Sequence, residues 1–326
     1  MKTTKTNKKS EVKNVYQIVT DRIIEQMNKG IIPWHKPWVF SDHADDIDLT
    51  TVAINYVTRK PYSMLNQMLL GFRKGEWMSF KQLSERGGTI KKGAESGIVV
   101  FWTQMNYVEK PKEGEQPTDE DGTGEEAQGK VCTIPVLKYY HVYHLDDIEG
   151  IETKYGTDEE KPKVQTVDPI EAAEDLMWQY VLREEKLTFV CDKPSNKAFY
   201  QPSFDKVVVP QMSQFKEVEE FYSTVFHEFT HSTMPTYRCN RKKENENAYF
   251  GSEDYSREEL VAEMGSAMLC HIAGLNCEKA FKNSVAYLQS WLKALKNDPK
   301  MIVWASSRAE KAARYIQYGP ETNAQA

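Results

Sequence analysis

The stretch Phe226-His227-Glu228-Phe229-Thr230-His231 carries the pattern H-E-x-x-H. On an α-helix, residues four apart project from one face, so His227 and His231 can direct two imidazole nitrogens at one zinc ion. Glu228 lies about 100° further round the helix, placed to hold a metal-bound water and take its proton. Val218, Phe221, Tyr222, Val225 and Phe229 recur at helical spacing, so the context of the motif is a helix. The sequence predicts Ser213 as its N-cap, Glu217, Glu219 and Glu220 at the positive end of its dipole, and a stop near Pro235. A helix this apolar is expected to be buried, and two buried histidines with a glutamate need partners.

Working outward, a second helix is expected over Ser256–His271. A catalytic zinc takes three protein ligands and keeps one position open. Glu259 and Glu263 are four apart on a face that also carries Ala262, Gly265 and Ser266, small residues that let two helices approach closely. Glu259 is assigned as third ligand and Glu263 as the partner orienting a ligand histidine; spacing alone allows the roles to be exchanged, and Glu258 points elsewhere. Ahead of the motif the sequence predicts a helix over Pro169–Arg183, a strand over Leu187–Val190 and a hairpin over Ala198–Pro210. The second hairpin strand runs into the motif helix and is expected to be an edge that pairs with an extended protein or peptide substrate. Residues 237–250 read as a polar loop, with Tyr237 and Tyr255 as candidates for stabilising an oxyanion. Two core helices, Glu278–Leu295 and Pro299–Tyr318, close a domain spanning 167–326.

The chain has 326 residues, 40% of them hydrophobic, enough for two domains with real cores. A net charge of −6 argues against a uniformly basic nucleic-acid binder, yet residues 1–40 hold eight Lys/Arg against three acids. Five cysteines with no C-x-x-C fit reduced thiols in a cytoplasmic protein. There is no signal-like h-region and no apolar run of about 18 residues, so no membrane segment is expected. Residues 1–10 read as a disordered basic tail, 11–150 as a first α+β domain, 109–130 within it as a disordered acidic loop between two hairpin strands, and 151–166 as a linker. Helix 12–29 should end at Gly30. In Ile31-Ile32-Pro33-Trp34-His35-Lys36-Pro37-Trp38, rings that could stack bases flank an amine that could meet phosphate, although composition alone favours core tryptophans. Arg59, Tyr62 and Asn66 follow, and Ile90-Lys91-Lys92-Gly93 forms a basic turn.

Taken together these segments resemble the ArdC-type antirestriction proteins of plasmids and mobile elements. The matching runs are Val15-Tyr16-Gln17, Gly30-Ile31-Ile32-Pro33-Trp34, Pro37-Trp38, Asn55…Tyr62…Asn66, Trp77-Met78-Ser79-Phe80-Lys81-Gln82 and Lys92-Gly93, then the H-E-x-x-H itself, Tyr255–Glu263 and Trp291-Leu292…Asp298. The resemblance covers residues 12 to about 318; His144 stands where an asparagine is expected. It implies a two-domain α+β architecture, an N-terminal single-stranded-DNA-binding domain and a mostly helical zincin-like metallopeptidase domain with a small sheet. It turns Trp34, Lys36, Trp38, Arg59, Tyr62, Asn66, Lys91 and Lys92 toward DNA, and gives Zn²⁺ to His227, His231 and Glu259. Two alternatives stand beside this reading: an intracellular zinc peptidase whose first domain binds protein, and a non-enzymatic DNA-binding protein with structural zinc.

Overall fold

A computed structural model describes residues 14–35, 52–109, 130–154, 168–241, 253–276 and 285–320. The expected disordered tail, most of the acidic loop and most of the linker lie outside these residues.

Helix α1 (Val15–Asn28) opens on an Asn14 cap and turns at Gly30, whose φ of +78° suits glycine. A 3₁₀ turn over Pro33–His35 follows. Then come β1 (Ala53–Asn55), α2 (Met64–Leu69), β2 (Gly75–Ser79), α3 (Phe80–Ser84), β3 (Thr89–Ile90), β4 (Gly97–Glu109), β5 (Lys130–His144) and β6 (Ile148–Glu149). Strand β2 runs straight into α3 because Ser79 and Gln82 form a capping box. The main sheet has the order β1-β2-β5-β4, parallel between β1 and β2 and antiparallel elsewhere. Alternation along β4 sends Ile98 and Val100 to one face of this sheet and Val99 to the other, where Val99 packs with Tyr62, Trp77 and Val142. His141 is exposed and His144 buried, as the strand period requires. Residues 151–154, the start of the expected linker, are fastened to this unit: Thr153 and the Lys154 amide both bond Glu76.

The second unit begins with α4 (Pro169–Arg183), capped by Asp168. Strands β7 (Thr188–Val190), β8 (Phe199–Gln201) and β9 (Lys206–Val208) form a sheet in the order β7-β9-β8. The second hairpin strand, β9, is therefore central, paired with β7 on one side and β8 on the other. The open hairpin edge belongs to β8, which corrects the expectation above. Helices α5 (Val218–Ser232), α6 (Glu253–Ile272), α7 (Val285–Asn297) and α8 (Met301–Tyr318) complete the fold. Helix α5 starts at Val218 with Glu217 at the cap position; Ser213 sits instead in a preceding 3₁₀ turn. The expected loop after the motif is packed at its start, where Arg238, Cys239 and Arg241 are all buried.

One hydrophobic core spans both units. Val19, Ile23, Met27 and Trp34 from the N-terminal part belong to the same cluster as Met264, Met268, Ile302 and Ile316. The halves are thus distinct in topology but joined through α1 and α2. Among the described residues no helix is long and apolar enough to cross a membrane, and Cys132, Cys191, Cys239 and Cys270 form no disulfide.

Candidate functional site

Helix α5 buries its apolar stripe in the core, with Phe221, Val225 and Phe229 almost fully enclosed. That fixes its rotation and turns His227 and His231 toward α6. The two helices meet closely at Gly265: a Cβ built there would lie 2.5 Å from Thr230 Oγ1 and 2.6 Å from its Cγ2. Next to this contact the Ser266 hydroxyl donates to the Ser223 carbonyl at 2.6 Å. The small residues on α6 thereby let Glu259 reach the histidines.

The Nε2 atoms of His227 and His231 are 3.2 Å apart. Glu259 sends Oε2 to within 3.6 Å of His227 Nε2 and Oε1 to within 3.5 Å of His231 Nε2. An ion held tetrahedrally by bonds of about 2.0–2.1 Å requires its donor atoms to be about 3.3 Å apart. The three side chains therefore fit a divalent metal, and among the described residues they are the one group of this kind. Glu228, the expected base, is buried beside the pair.

The electrostatics also fit a cation. Burial pushes the pKa of His227 down, but the hydrogen bond it donates to the Glu259 carboxylate and the charges of Glu263 and Glu228 outweigh it and raise the value to about 9. Several carboxylates converge on one imidazole, an excess of negative charge that a divalent ion would neutralise.

Glu258 has a place the sequence reading missed. Directed elsewhere in that reading, it is buried, with Oε1 at 3.5 Å from His231 Nδ1, the nitrogen opposite the metal-facing one. Arg241 holds it there: Nη2 donates to Oε1 at 2.8 Å and Nε to Oε2 at 3.2 Å. Arg241 also donates to the Thr230 carbonyl and the Thr233 hydroxyl, tying the pair to the end of α5. Burial would raise the Glu258 pKa, yet the Arg241 charge and the His231 contact bring it down to about 2. A carboxylate facing the distal nitrogen of a ligand histidine fixes its tautomer and its orientation. Glu263, expected in that role, lies instead near His35 and Tyr287 and acts on His227 through its charge.

Tyr237, a candidate for the oxyanion, donates its hydroxyl to Asp205 at 2.9 Å. Asp205 also receives Tyr200 and a two-pronged bond from Arg238, so this cluster braces the β8–β9 turn against the end of α5. The side chain of Tyr255 lies outside the described ones.

The residues assigned to DNA are scattered. Trp34 is fully buried, edge-on to Trp291 with ring centres 6.2 Å apart, so it belongs to the core as composition alone favours. Tyr62 and Asn66 are buried too. The Asn66 amide accepts from the Val100 N–H and donates to its carbonyl, locking α2 to the edge of β4. None of these three offers a face to a base. Arg59 pairs with buried Glu76, Lys91 donates to the Asp146 carbonyl at 2.7 Å, and Lys92 is exposed in its turn. Lys36 and Trp38 lie outside the described residues. Among the described side chains of the first unit, the exposed large aromatic rings are Phe80 at the start of α3 and, gathered on the β4–β5 hairpin, Phe101, Trp102, Tyr139 and Tyr140. Cross-strand register places Lys138 opposite Phe101, and the Phe101 and Tyr140 ring centres are 6.1 Å apart.

An H-E-x-x-H helix, a glutamate from the next helix and a small sheet alongside define a zincin-like metal-binding domain, here fused to an N-terminal α+β unit. Residues 179–308 match the zincin-like metallopeptidase family, and residues 13–143 match the N-terminal domain of anti-restriction factor ArdC. The chain belongs to the ArdC-type family. The crystal structure of the antirestriction protein ArdC from plasmid R388 superposes with a TM-score of 0.63 at 28% identity, over 94% of this chain and 98% of that one. Its Mn(II)-bound form gives the same score and identity over 96% and 100%. A DNA primase TraC of Escherichia coli is 28% identical over 93% of this chain, and the chain spans just 20% of that relative's length. The uncharacterized protein y4eC of Sinorhizobium fredii is 26% identical over 93% of this chain and 91% of its own length.

Proposed function

We propose that this protein is a divalent-metal-dependent peptidase joined to a single-stranded-DNA-binding unit, acting in the cytoplasm in antirestriction or mobile-element maintenance. The observation that carries the reading is the convergence of His227, His231 and Glu259 at tetrahedral donor spacing, with Glu228 beside them. The ArdC kinship and the Mn(II)-bound relative support a divalent ion in this chain, the triad offers it a donor set, and Zn²⁺ is the ion favoured by two imidazoles and one carboxylate.

A bound divalent ion would polarise the scissile carbonyl and acidify a water. Glu228 takes a proton from the attacking water as the new C–O bond forms and returns it to the amine nitrogen, whose C–N bond then breaks. His231 is kept in its ligand tautomer by Glu258 and Arg241. The open backbone edge of β8 can pair with an extended peptide. Single-stranded DNA is assigned to the β4–β5 hairpin, where exposed rings alternate with Lys138, because stacking and phosphate contact call for that combination.

Two measurements test this. Glu228→Gln should keep metal content, by elemental analysis, while abolishing cleavage of a denatured-protein substrate; cleavage at the unchanged rate refutes the peptidase assignment. Titration of a labelled oligonucleotide at two salt concentrations should show binding that weakens as salt rises and is lost in Phe101→Ala/Tyr140→Ala. Absence of binding at low salt refutes the DNA assignment.

A further inference from the structure

The 3₁₀ turn Pro33–His35 belongs to the N-terminal unit, yet it lies against α6 and α7 close to the metal-binding triad. Trp34 anchors it, buried against Trp291. The backbone N–H of His35 donates to the Ile32 carbonyl at 3.1 Å, which fixes the direction in which its side chain leaves the turn. The His35 ring stacks on Tyr287 at 6.4 Å with an interplanar angle of 19°. Its Nε2 is 3.9 Å from Glu263 Oε2, and the side chain is 8% exposed. The contact His35–Glu263 thus ties the first unit to the helix that carries the ligand Glu259. Glu263 is one α-helical turn from Glu259, so a shift of either carboxylate changes the charge felt at the triad.

The geometry points to His35 as a positioning residue of the metal centre, supplied by the N-terminal unit. Its contact sets where the Glu263 carboxylate sits, one helical turn from the ligand Glu259, and hence the field at the triad. The metal centre is then built by both units, and its affinity for an ion depends on the seating of the 33–35 turn. This rests on the metal assignment above, and the experiment separates the two.

The test is calorimetric titration of the full chain with Mn²⁺ at constant pH, with far-ultraviolet circular dichroism and thermal unfolding as folding controls. Removing a partner of this kind lowers metal affinity about 10–100-fold. His35→Ala is expected to weaken Mn²⁺ binding by about tenfold, at the low end of that range. His35→Gln, which keeps a polar group in the same place, should recover part of the loss. Glu263→Gln should weaken binding similarly, and His35→Ala/Glu263→Gln should be no worse than Glu263→Gln alone, because both act through one carboxylate. Should His35→Ala fail to fold, His35→Gln and the Glu263→Gln pair carry the test. Wild-type affinity in His35→Ala, or full additivity in the double variant, overturns the inference. A wild-type chain that binds neither Mn²⁺ nor Zn²⁺ overturns the metal assignment itself, and the role of His35 with it.

Discussion

Replacing Glu258 by glutamine separates folding from metal binding at one buried site. The side chain keeps its shape and loses its charge, leaving the Arg241 guanidinium, itself 2% exposed, without its anion. Breaking a buried ion pair from one side costs about 3–5 kcal/mol. Glutamine retains an acceptor oxygen, and Arg241 keeps its bonds to the Thr230 carbonyl at 2.8 Å and Thr233 Oγ1 at 2.7 Å, so the lower end is expected. A domain of typical stability, about 5–15 kcal/mol, survives this. The second effect is on His231, which loses the carboxylate 3.5 Å from its Nδ1. Metal affinity should drop about 10–100-fold, or about 1.4–2.7 kcal/mol. Urea unfolding would read the first effect and Mn²⁺ calorimetry the second. Removing both charges, in Glu258→Gln/Arg241→Met, should restore most of the stability because no charge is left stranded, but none of the metal affinity. Metal affinity in Glu258→Gln within twofold of wild type, or its recovery in the double variant, would refute the orienting role.

Other substitutions probe the frame around the site. Gly265→Ala puts a methyl against Thr230 and should destabilise the protein by about 1–3 kcal/mol in urea unfolding, with weaker metal binding as α5 and α6 separate. Trp34→Ala should cost about 3–5 kcal/mol of stability, because the ring fills the shared core; a loss of oligonucleotide binding with unchanged stability would contradict its burial. Acid titration tests the buried carboxylates. Burial would raise Asp205 and Glu258, but Arg238 with Tyr237 and Tyr200, and Arg241 with His231, lower both below their ordinary values of 3.8 and 4.5. A lowered folded pKa contributes stability that is fully present above the unfolded value and is lost as pH falls through the folded one. Unfolding monitored between pH 5 and pH 2 should therefore show stability falling toward about 2, the Glu258 value, and Arg238→Met should remove the Asp205 share.

Much of the site is legible in the chain because helical geometry is local. His227 and His231 share a face by spacing alone, and Gly265 with Ser266 announces a close helix contact before any coordinates. Helix α4 and the β8–β9 hairpin likewise follow from the apolar period and the turn residues. Contacts between segments distant in sequence are what spacing leaves open. Glu258 and Glu259 are neighbours about 100° apart on one helix, and either could face α5 until the packing of Leu260, Val261 and Met264 fixes the rotation of α6. Arg241 sits in a stretch whose polarity reads as loop, and it is buried because Glu258 and the end of α5 meet it there.

By itself, then, the sequence determined that two histidines and a glutamate lie on one apolar helix, that a carboxylate-bearing helix follows, and that an α+β unit precedes them, since each follows from short-range periodicity. The tertiary structure alone decided which glutamate meets which histidine, that Trp34 is core, and that four exposed rings gather on the β4–β5 hairpin. It also decided that His35 of the first unit lies beside the site of the second. The physical reason is burial: whether a tryptophan stacks on a base or on Trp291, and whether a glutamate meets solvent or an imidazole, depends on which surfaces the whole chain brings together.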